Sequence, residues 1–189
     1  HIMEILRQID GVLYEDPIDE LIKIKLIRDD WNPQDVMEIT VDNCEGVYDF
    51  AAGGWSGIVN KLRVGFADRI HDYADGSATA QNQANAVGQD GQVREMSVSH
   101  PGVCTQALAN TIAARELNFY SRPITRCRVV VDRSFLRTVQ GDVVALIWPE
   151  YGIASLYFRV ASVDRGELAA GKITLLLIQD AGYVYRGVL

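Results

Sequence analysis

A histidine and a cysteine stand four residues apart where a long helix is predicted to begin. At a helix start, the dipole stabilises a thiolate at Cys104, and the imidazole of His100 offers a base, so the pair could form a cysteine nucleophile. His71 is the only other internal histidine, and no orienting group stands at a recognisable spacing. We therefore favour a cysteine packed in the core near the helix start.

Two groups of acidic residues could ligate a hard cation. The first contains Asp16, Asp19 and Glu20, and the second contains Asp72 and Asp75. Neither group follows the pattern of a calcium-binding loop, and both stand in predicted turns, where carboxylates are common. Solvated turns are the favoured interpretation.

A glycine-rich segment is weakly similar to a phosphate-binding loop. It contains Gly53, Gly54 and Gly57, followed by Lys61. However, the lysine is not followed by serine or threonine, and the next predicted element is a strand rather than a helix. We expect a backbone bend here.

The tryptophans Trp31, Trp55 and Trp148, together with eight tyrosines, could line a sugar or protein site, but such aromatics are also common in sheet cores. Carboxylate pairs for glycoside hydrolysis are defined by their separation in space and cannot be located in a sequence. We predict no catalytic, cofactor-binding or metal-ligating residue and no enzyme activity.

Composition narrows the class of protein. Of 189 residues, 48% are hydrophobic and 23% are charged, as in an ordinary globular protein. The net charge of -7 disfavours nonspecific binding to nucleic acid or anionic lipid, and no apolar run approaches the length of a membrane span. Three widely spaced cysteines indicate neither a disulfide framework nor a zinc site, and we expect no cofactor.

The clearest predicted element is a helix over residues 104–122. Leu108, Ile112, Leu117 and Tyr120 recur at helical spacing and predict its core face. Thr105 can cap the first turn, and Pro123 ends the helix.

Strand patterns dominate the rest of the chain. Residues 12–14 and 22–27 predict a hairpin with Ile22, Ile24 and Leu26 facing inward, and residues 60–68 predict a half-buried strand. Residues 78–87 can form a short helix or, equally, an ordered surface segment. Four strands joined by short turns follow residue 126 and favour antiparallel pairing. The expected fold class is α+β and β-rich, with antiparallel sheets or small β-barrel-like domains, one long helix and one or two short helices.

We expect four segments along the chain. Residues 1–10 are a remnant of an upstream helix or a tag, residues 11–98 a first β-rich segment, residues 99–180 a helix followed by antiparallel strands, and residues 181–189 a tail. They would form one or two intertwined domains of a longer protein.

An ordered set of glycine turns and strand edges resembles bacteriophage tail-tip and baseplate-hub proteins, from about Gly11 to Asp180. Each of these segments alone is weak evidence for the family, whereas their order along the chain is specific to it. In the first half they are Gly11-Val12-Leu13-Tyr14-Glu15-Asp16-Pro17, Ile24-Lys25-Leu26-Ile27-Arg28-Asp29-Asp30, Gly54-Trp55-Ser56, Val59-Asn60 and Phe66-Ala67-Asp68-Arg69. In the second half they are Ala78-Thr79-Ala80-Gln81-Asn82, His100-Pro101-Gly102-Val103, Ala107-Leu108-Ala109-Asn110, Ala113-Ala114-Arg115-Glu116-Leu117 and Gly141-Asp142-Val143-Val144.

The resemblance implies a structural role in a trimeric hub that closes the end of the tail tube. The implied partners are further copies of the protein and other tail-tube and tail-tip proteins. The implied location is the virion tail, with assembly in the bacterial host cytoplasm. Two alternatives stay open at this point: a carbohydrate-active or carbohydrate-binding module acting on the bacterial cell envelope, and an interaction domain of a contractile secretion machine.

Overall fold

The structure, a computed structural model, describes residues 2–28, 30–55 and 58–180. The described residues divide into two compact units. Unit 1 takes in residues 2–8, 53–55 and 58–123, and unit 2 takes in residues 9–28, 30–52 and 124–180. The predicted tail, residues 181–189, lies outside the described residues.

The described residues form three α-helices and eleven strands, joined by short 3-10 turns. In chain order they are α1 (Ile2–Ile9), β1 (Gly11–Glu15), β2 (Ile22–Leu26), β3 (Met37–Ile39), β4 (Cys44–Ala51), β5 (Lys61–Asp68), β6 (Ala74–Gln81), α2 (Gln83–Gly88), β7 (Glu95–Ser99), α3 (Gln106–Tyr120), β8 (Arg126–Val131), β9 (Val143–Trp148), β10 (Ile153–Asp164) and β11 (Ile173–Gln179).

Unit 1 is a three-stranded sheet with α3 packed on one face. The strand order is β6-β5-β7, with β5 antiparallel to β6 and parallel to β7. The side chain of Thr105 accepts the N–H of Leu108 and caps α3, as predicted. Small residues on α3 let the helix approach the sheet closely. The buried cluster is Leu62, Val64, Phe66, Ala78, Val98, Val103, Ala109, Ile112, Ala113 and Leu117.

Unit 2 is built on a six-stranded sheet of order β3-β9-β10-β11-β8-β4 and carries the separate hairpin β1-β2. The short β3 runs parallel to β9, and the other neighbours are antiparallel. Alternate residues of each strand point into the core of unit 2, which is separate from that of unit 1. This core includes Ile39, Val129, Leu146, Phe158 and Leu175.

The main segment of unit 1, residues 53–123, lies in the sequence between two adjacent strands of unit 2. Strand β4 ends at Ala51, which pairs with Arg126 at the start of β8. The boundary predicted between residues 98 and 99 falls inside unit 1, since β7 pairs with β5 and α3 packs on β5 and β6. The division of the full protein into domains stays a prediction.

The predicted β-rich α+β class is confirmed, and the long helix and the strand of residues 60–68 are found within two residues of their predicted ends. Three details were wrong. Residues 74–81 form β6, so the helix predicted over 78–87 is reduced to α2. Leu108 is 48% exposed, and Ala109 takes its place in the core. Finally, β5–β7 and β3–β9 are parallel pairs, because β7 and β3 reach their partners from distant parts of the chain.

Candidate interaction surface

His100 forms a buried pair with a glutamate rather than with Cys104. Its Nε2 lies 2.7 Å from Oε1 of Glu116 on α3, and the two side chains are 2% and 11% exposed. Its N–H donates to the carbonyl of Gly65 on β5. Cys104 is half-buried, and its carbonyl accepts the N–H of Arg69. The pair therefore ties the end of β7 to α3, and the histidine is committed to a structural contact.

The acidic loop before β2 is closed by a lysine. Nζ of Lys23 lies 2.6 Å from a carboxylate oxygen of both Asp16 and Asp19. The hydrogen bond from Lys23 lowers the pKa of both carboxyl groups, and the two aspartates raise the pKa of Lys23. Nowhere in the described residues do three or more His, Cys, Asp or Glu side chains form a group that could hold a metal ion.

Asp72 of the second acidic group and Lys61 beside the glycine segment also have local explanations, whereas Asp75 lies within β6. Asp72 has a left-handed backbone at the turn before β6, where a short polar side chain is tolerated. Lys61 starts β5, and its Nζ lies 2.7 Å from Oε2 of Glu95 on the paired β7, which lowers the pKa of Glu95. Ser56 and Gly57, the latter part of the predicted bend, lie outside the described residues.

One cleft of unit 2 combines an aromatic ring with carboxylates. Its volume is about 460 Å³. The ring of Trp31, 4.9 Å from that of Tyr157, forms part of its wall. Asp142 already binds Lys25 and accepts the N–H of Val139. The lining residues are Asp30, Trp31, Asn32, Asp35, Val36, Met37, Thr138, Asp142, Val143 and Val144. Trp148 instead packs in the sheet core beside Tyr151, and Trp55 is 63% exposed.

The most unusual surface is one face of the β1-β2 hairpin. The register pairs Leu13 with Ile24, so these two side chains share a face with Ile22 and Leu26. Leu13 is 39% exposed, Ile22 73%, Ile24 59% and Leu26 46%. We name this set (Leu13, Ile22, Ile24 and Leu26) the apolar hairpin face. Its inward orientation, predicted from the alternation, was wrong.

The opposite face of the hairpin, with its two lysines, is the one that is held against the six-stranded sheet. Lys25 forms an ion pair with Asp142, and Val12 lies so close to Gly141 that a Cβ there would stand 3.0 Å from its methyl group. Below the hairpin, Arg159 donates to the carbonyl of Arg28. The polar face thus anchors the hairpin, which leaves the apolar hairpin face in water.

Comparison with known proteins identifies the family. Residues 25–163 match the model of the family described as "Putative phage tail protein". The chain belongs to this phage tail protein family. The match extends through most of both units and begins within β2, so that it takes in Leu26 of the apolar hairpin face. No curated protein matches the chain.

Solved structures of tail components share the fold of this phage tail protein. A chain in the virion of a native gene transfer agent particle has a TM-score of 0.69 at 17% identity, over 97% of this chain and 39% of that one. A tail protein from Neisseria meningitidis has a TM-score of 0.61 at 15% identity, over 94% and 53%. The 43 kDa tail protein of prophage MuSo2 from Shewanella oneidensis has 0.56 at 14%, over 95% and 53%.

The phage tail protein described here thus spans between 39% and 53% of the length of those structures. None of the helices among its described residues is long and apolar enough to cross a membrane. The sequence could identify the residues of the apolar hairpin face by their alternation. It carried no signal for their outward direction, which depends on Asp142, far along the chain from Lys25.

Proposed function

We propose that this chain is a structural segment of the tail-tip or baseplate hub of a phage or prophage and acts through protein–protein contacts without catalysis. The full-length protein would assemble as a homotrimer and bind other tail-tube and tail-tip proteins. Its place would be the virion tail, after assembly in the cytoplasm of the bacterial host.

The observation that carries the proposal is the family match over residues 25–163, because it takes in the core of unit 1 and most strands of unit 2 rather than a short motif. The apolar hairpin face supports an assembly role. Monomeric proteins seldom leave large apolar side chains exposed side by side on a regular element, and such patches commonly mark contacts with other proteins.

Light scattering on the full-length protein over a concentration series tests the proposal. We expect the mass of a trimer and co-purification with other tail proteins. A monomer at every concentration, with no affinity for tail components, would contradict the hub assignment. The isolated chain is the comparison, since it spans only part of the length of its structural neighbours and is expected to associate more weakly.

A second candidate is carbohydrate binding, and the cleft beside Trp31 is the observation in its favour. Aromatic rings stack on sugars, and carboxylates such as Asp30 and Asp35 accept hydroxyl hydrogen bonds. Incubation with peptidoglycan and capsule fragments tests it. Saturable binding that Trp31→Ala abolishes would favour this candidate, whereas the hub proposal expects no binding and no sugar release.

A further inference from the structure

We propose that the apolar hairpin face of one copy packs on the outward face of the six-stranded sheet of a second copy. This inference rests on the proposed assembly role and names the contact that would build the oligomer. The occupant of the hairpin face is thus another copy of this chain.

The hairpin has the construction of a docking element. On its inner side Lys25 forms an ion pair with Asp142, and Lys23 forms ion pairs with Asp16 and Asp19. A two-stranded hairpin by itself is at best marginally stable in water, and further apolar contact stabilises it. The large aliphatic side chains exposed on its strands are those of the apolar hairpin face, of which Ile22 and Ile24 are more than half exposed.

The outward face of the six-stranded sheet is the surface that fits it. Cross-strand pairing places Leu176 of β11 beside Arg128 of β8, and Arg128 beside Tyr48 of β4. Leu176 and Tyr48 are 42% and 41% exposed. Arg128 lies 5.5 Å from the centre of the Tyr48 ring, and its guanidinium is 2.9 Å from Asp49. We name Tyr48, Arg126, Arg128 and Leu176 the sheet receiving face.

Gly46, which has no side chain, leaves room for the Tyr48 ring on this face. A Cβ on Gly46 would stand 3.1 Å from the Tyr48 ring, so the glycine allows the ring to lie close along its own strand. The result is a broad surface of tyrosine, arginine and leucine. Tyrosine and arginine, with tryptophan, are enriched among the residues that dominate the binding energy of protein interfaces.

The two surfaces complement each other in charge and polarity. The hairpin tip carries Glu15, Asp16, Asp19 and Glu20 against the single Lys23, so it is acidic. On the sheet receiving face, Arg126 and Arg128 outnumber Asp49, so that face is basic. A second copy therefore offers an apolar and oppositely charged partner for the hairpin, which steers association and fixes register.

The dimensions agree as well. Five-residue strands are about 17 Å long, comparable with β8 and β11, and two apolar sheet faces pack at about 10 Å. A patch of this kind covers on the order of 300–600 Å², somewhat below the roughly 800 Å² per partner of a standard interface. Other surfaces of the protein would supply the rest.

Because the two surfaces differ, the contact is heterologous. Each copy offers a hairpin to one neighbour and a sheet to the other, and such contacts close into rings when the rotation permits. A trimeric hub is one such ring. Contact between two hairpins would instead be isologous and would give a dimer.

Cysteine crosslinking in the full-length protein tests the contact. We would co-express Ile24→Cys with one tag and Leu176→Cys with another, oxidise the assembled protein and analyse the linked peptides by mass spectrometry. A disulfide needs Cα atoms within about 7 Å, so it reports the contact directly. We expect a peptide pair joining positions 24 and 176 of two chains.

Each outcome decides the proposal. Self-linkage of Ile24→Cys alone would indicate a contact between hairpins and would overturn it. An oligomer that gives no linkage between positions 24 and 176, and that tolerates Ile22→Thr with Ile24→Thr, would also overturn it while the hub proposal stands. A full-length protein that is monomeric contradicts the hub proposal itself.

A matched substitution separates the contact from the fold. Threonine keeps the β-branched shape, so Ile22→Thr with Ile24→Thr should leave the circular dichroism spectrum unchanged and reduce association at least tenfold. Ile70→Thr is the control, since Ile70 is 80% exposed and lies on neither surface. Association of the control should equal that of the wild type.

Discussion

Gly76 shows how closely single residues of unit 1 are packed. It pairs with Phe66 across β5 and β6, and the Phe66 ring lies over it, so a Cβ on Gly76 would stand 2.7 Å from the ring. Phe66 is only 4% exposed, which leaves the ring little room to move. The strand thus needs glycine here for space rather than for backbone conformation.

We therefore expect Gly76→Ala to lower the free energy of unfolding by about 1–3 kcal/mol, the usual cost of overpacking. Urea denaturation of the purified chain measures it. The matched control is Gly88→Ala in α2, where a Cβ would meet no atom within 4 Å; there we expect a gain of up to about 1 kcal/mol. Equal effects at both positions would contradict the packing argument.

The buried cysteines predict a loss of stability in alkali. Burial raises the pKa of Cys127 to about 12 from an ordinary value of 9.0, and burial also raises the pKa of Cys44. Between these two values the unfolded chain releases the Cys127 proton, whereas the folded chain keeps it. The unfolded state is thereby favoured, so stability falls as pH rises above about 9.

Urea denaturation at several pH values between 8 and 10.5 would measure this fall. Cys127→Ala should show a flatter dependence of unfolding free energy on pH, whatever its stability at neutral pH. Val129→Ala is the control, because it changes a buried side chain of the same strand that carries no titratable group, and it should keep the wild-type slope. An unchanged slope in Cys127→Ala would contradict the assignment.

At the scale of elements, α3 stabilises unit 1 through a narrow face. Ile112 is 2% exposed against the sheet, whereas Leu108, on the same helix, is 48% exposed. We expect Ile112→Ala to cost about 2–5 kcal/mol, since it leaves a cavity, and Leu108→Ala to cost much less. Thermal unfolding of both variants provides the measurement. A larger effect for Leu108→Ala would show that Leu108 lies in the core, as the spacing predicts, and would contradict its observed exposure.

The sequence predicted the elements whose signals are local. Thr105 and Pro123 bound α3, and alternation identified β2 and β5. Residues 78–81 favour a helix by composition, but pairing with β5 outweighs that preference. The sequence could not show which face of the hairpin points outward, because the contact of Lys25 with Asp142 depends on tertiary structure. The cleft beside Trp31 could not be predicted from the sequence for the same reason, since its two walls come from distant segments.

At the scale of the whole molecule, each unit has its own buried cluster, and unit 1 enters and leaves unit 2 at neighbouring strands. Ala51 and Arg126 are already paired, so a two-residue turn could connect β4 to β8 directly. Unit 2 therefore holds the contacts of its own fold without unit 1.

We expect a chain that starts at Ile9, with Asn-Gly in place of Gly53–Ile124, to fold as unit 2. The measurement is amide hydrogen exchange, in which slow exchange at Val129 and Leu175 would report the intact sheet. A variant with Phe158→Ala in the same shortened chain is the control, because that ring is fully buried in the core of unit 2 and its loss should speed exchange. Fast exchange throughout the unsubstituted short chain would show that unit 2 depends on unit 1.

The position of unit 1 between β4 and β8 also bears on the order of folding. To pair Ala51 with Arg126, an unfolded chain must close a long loop, and the entropy of closure rises with loop length. If unit 1 is already compact, its ends are joined by a folded body, and the effective loop is short. Early collapse of unit 1 should therefore accelerate formation of the β4–β8 pair. A substitution that weakens α3 should then slow the folding of the six-stranded sheet, although α3 belongs to the other unit.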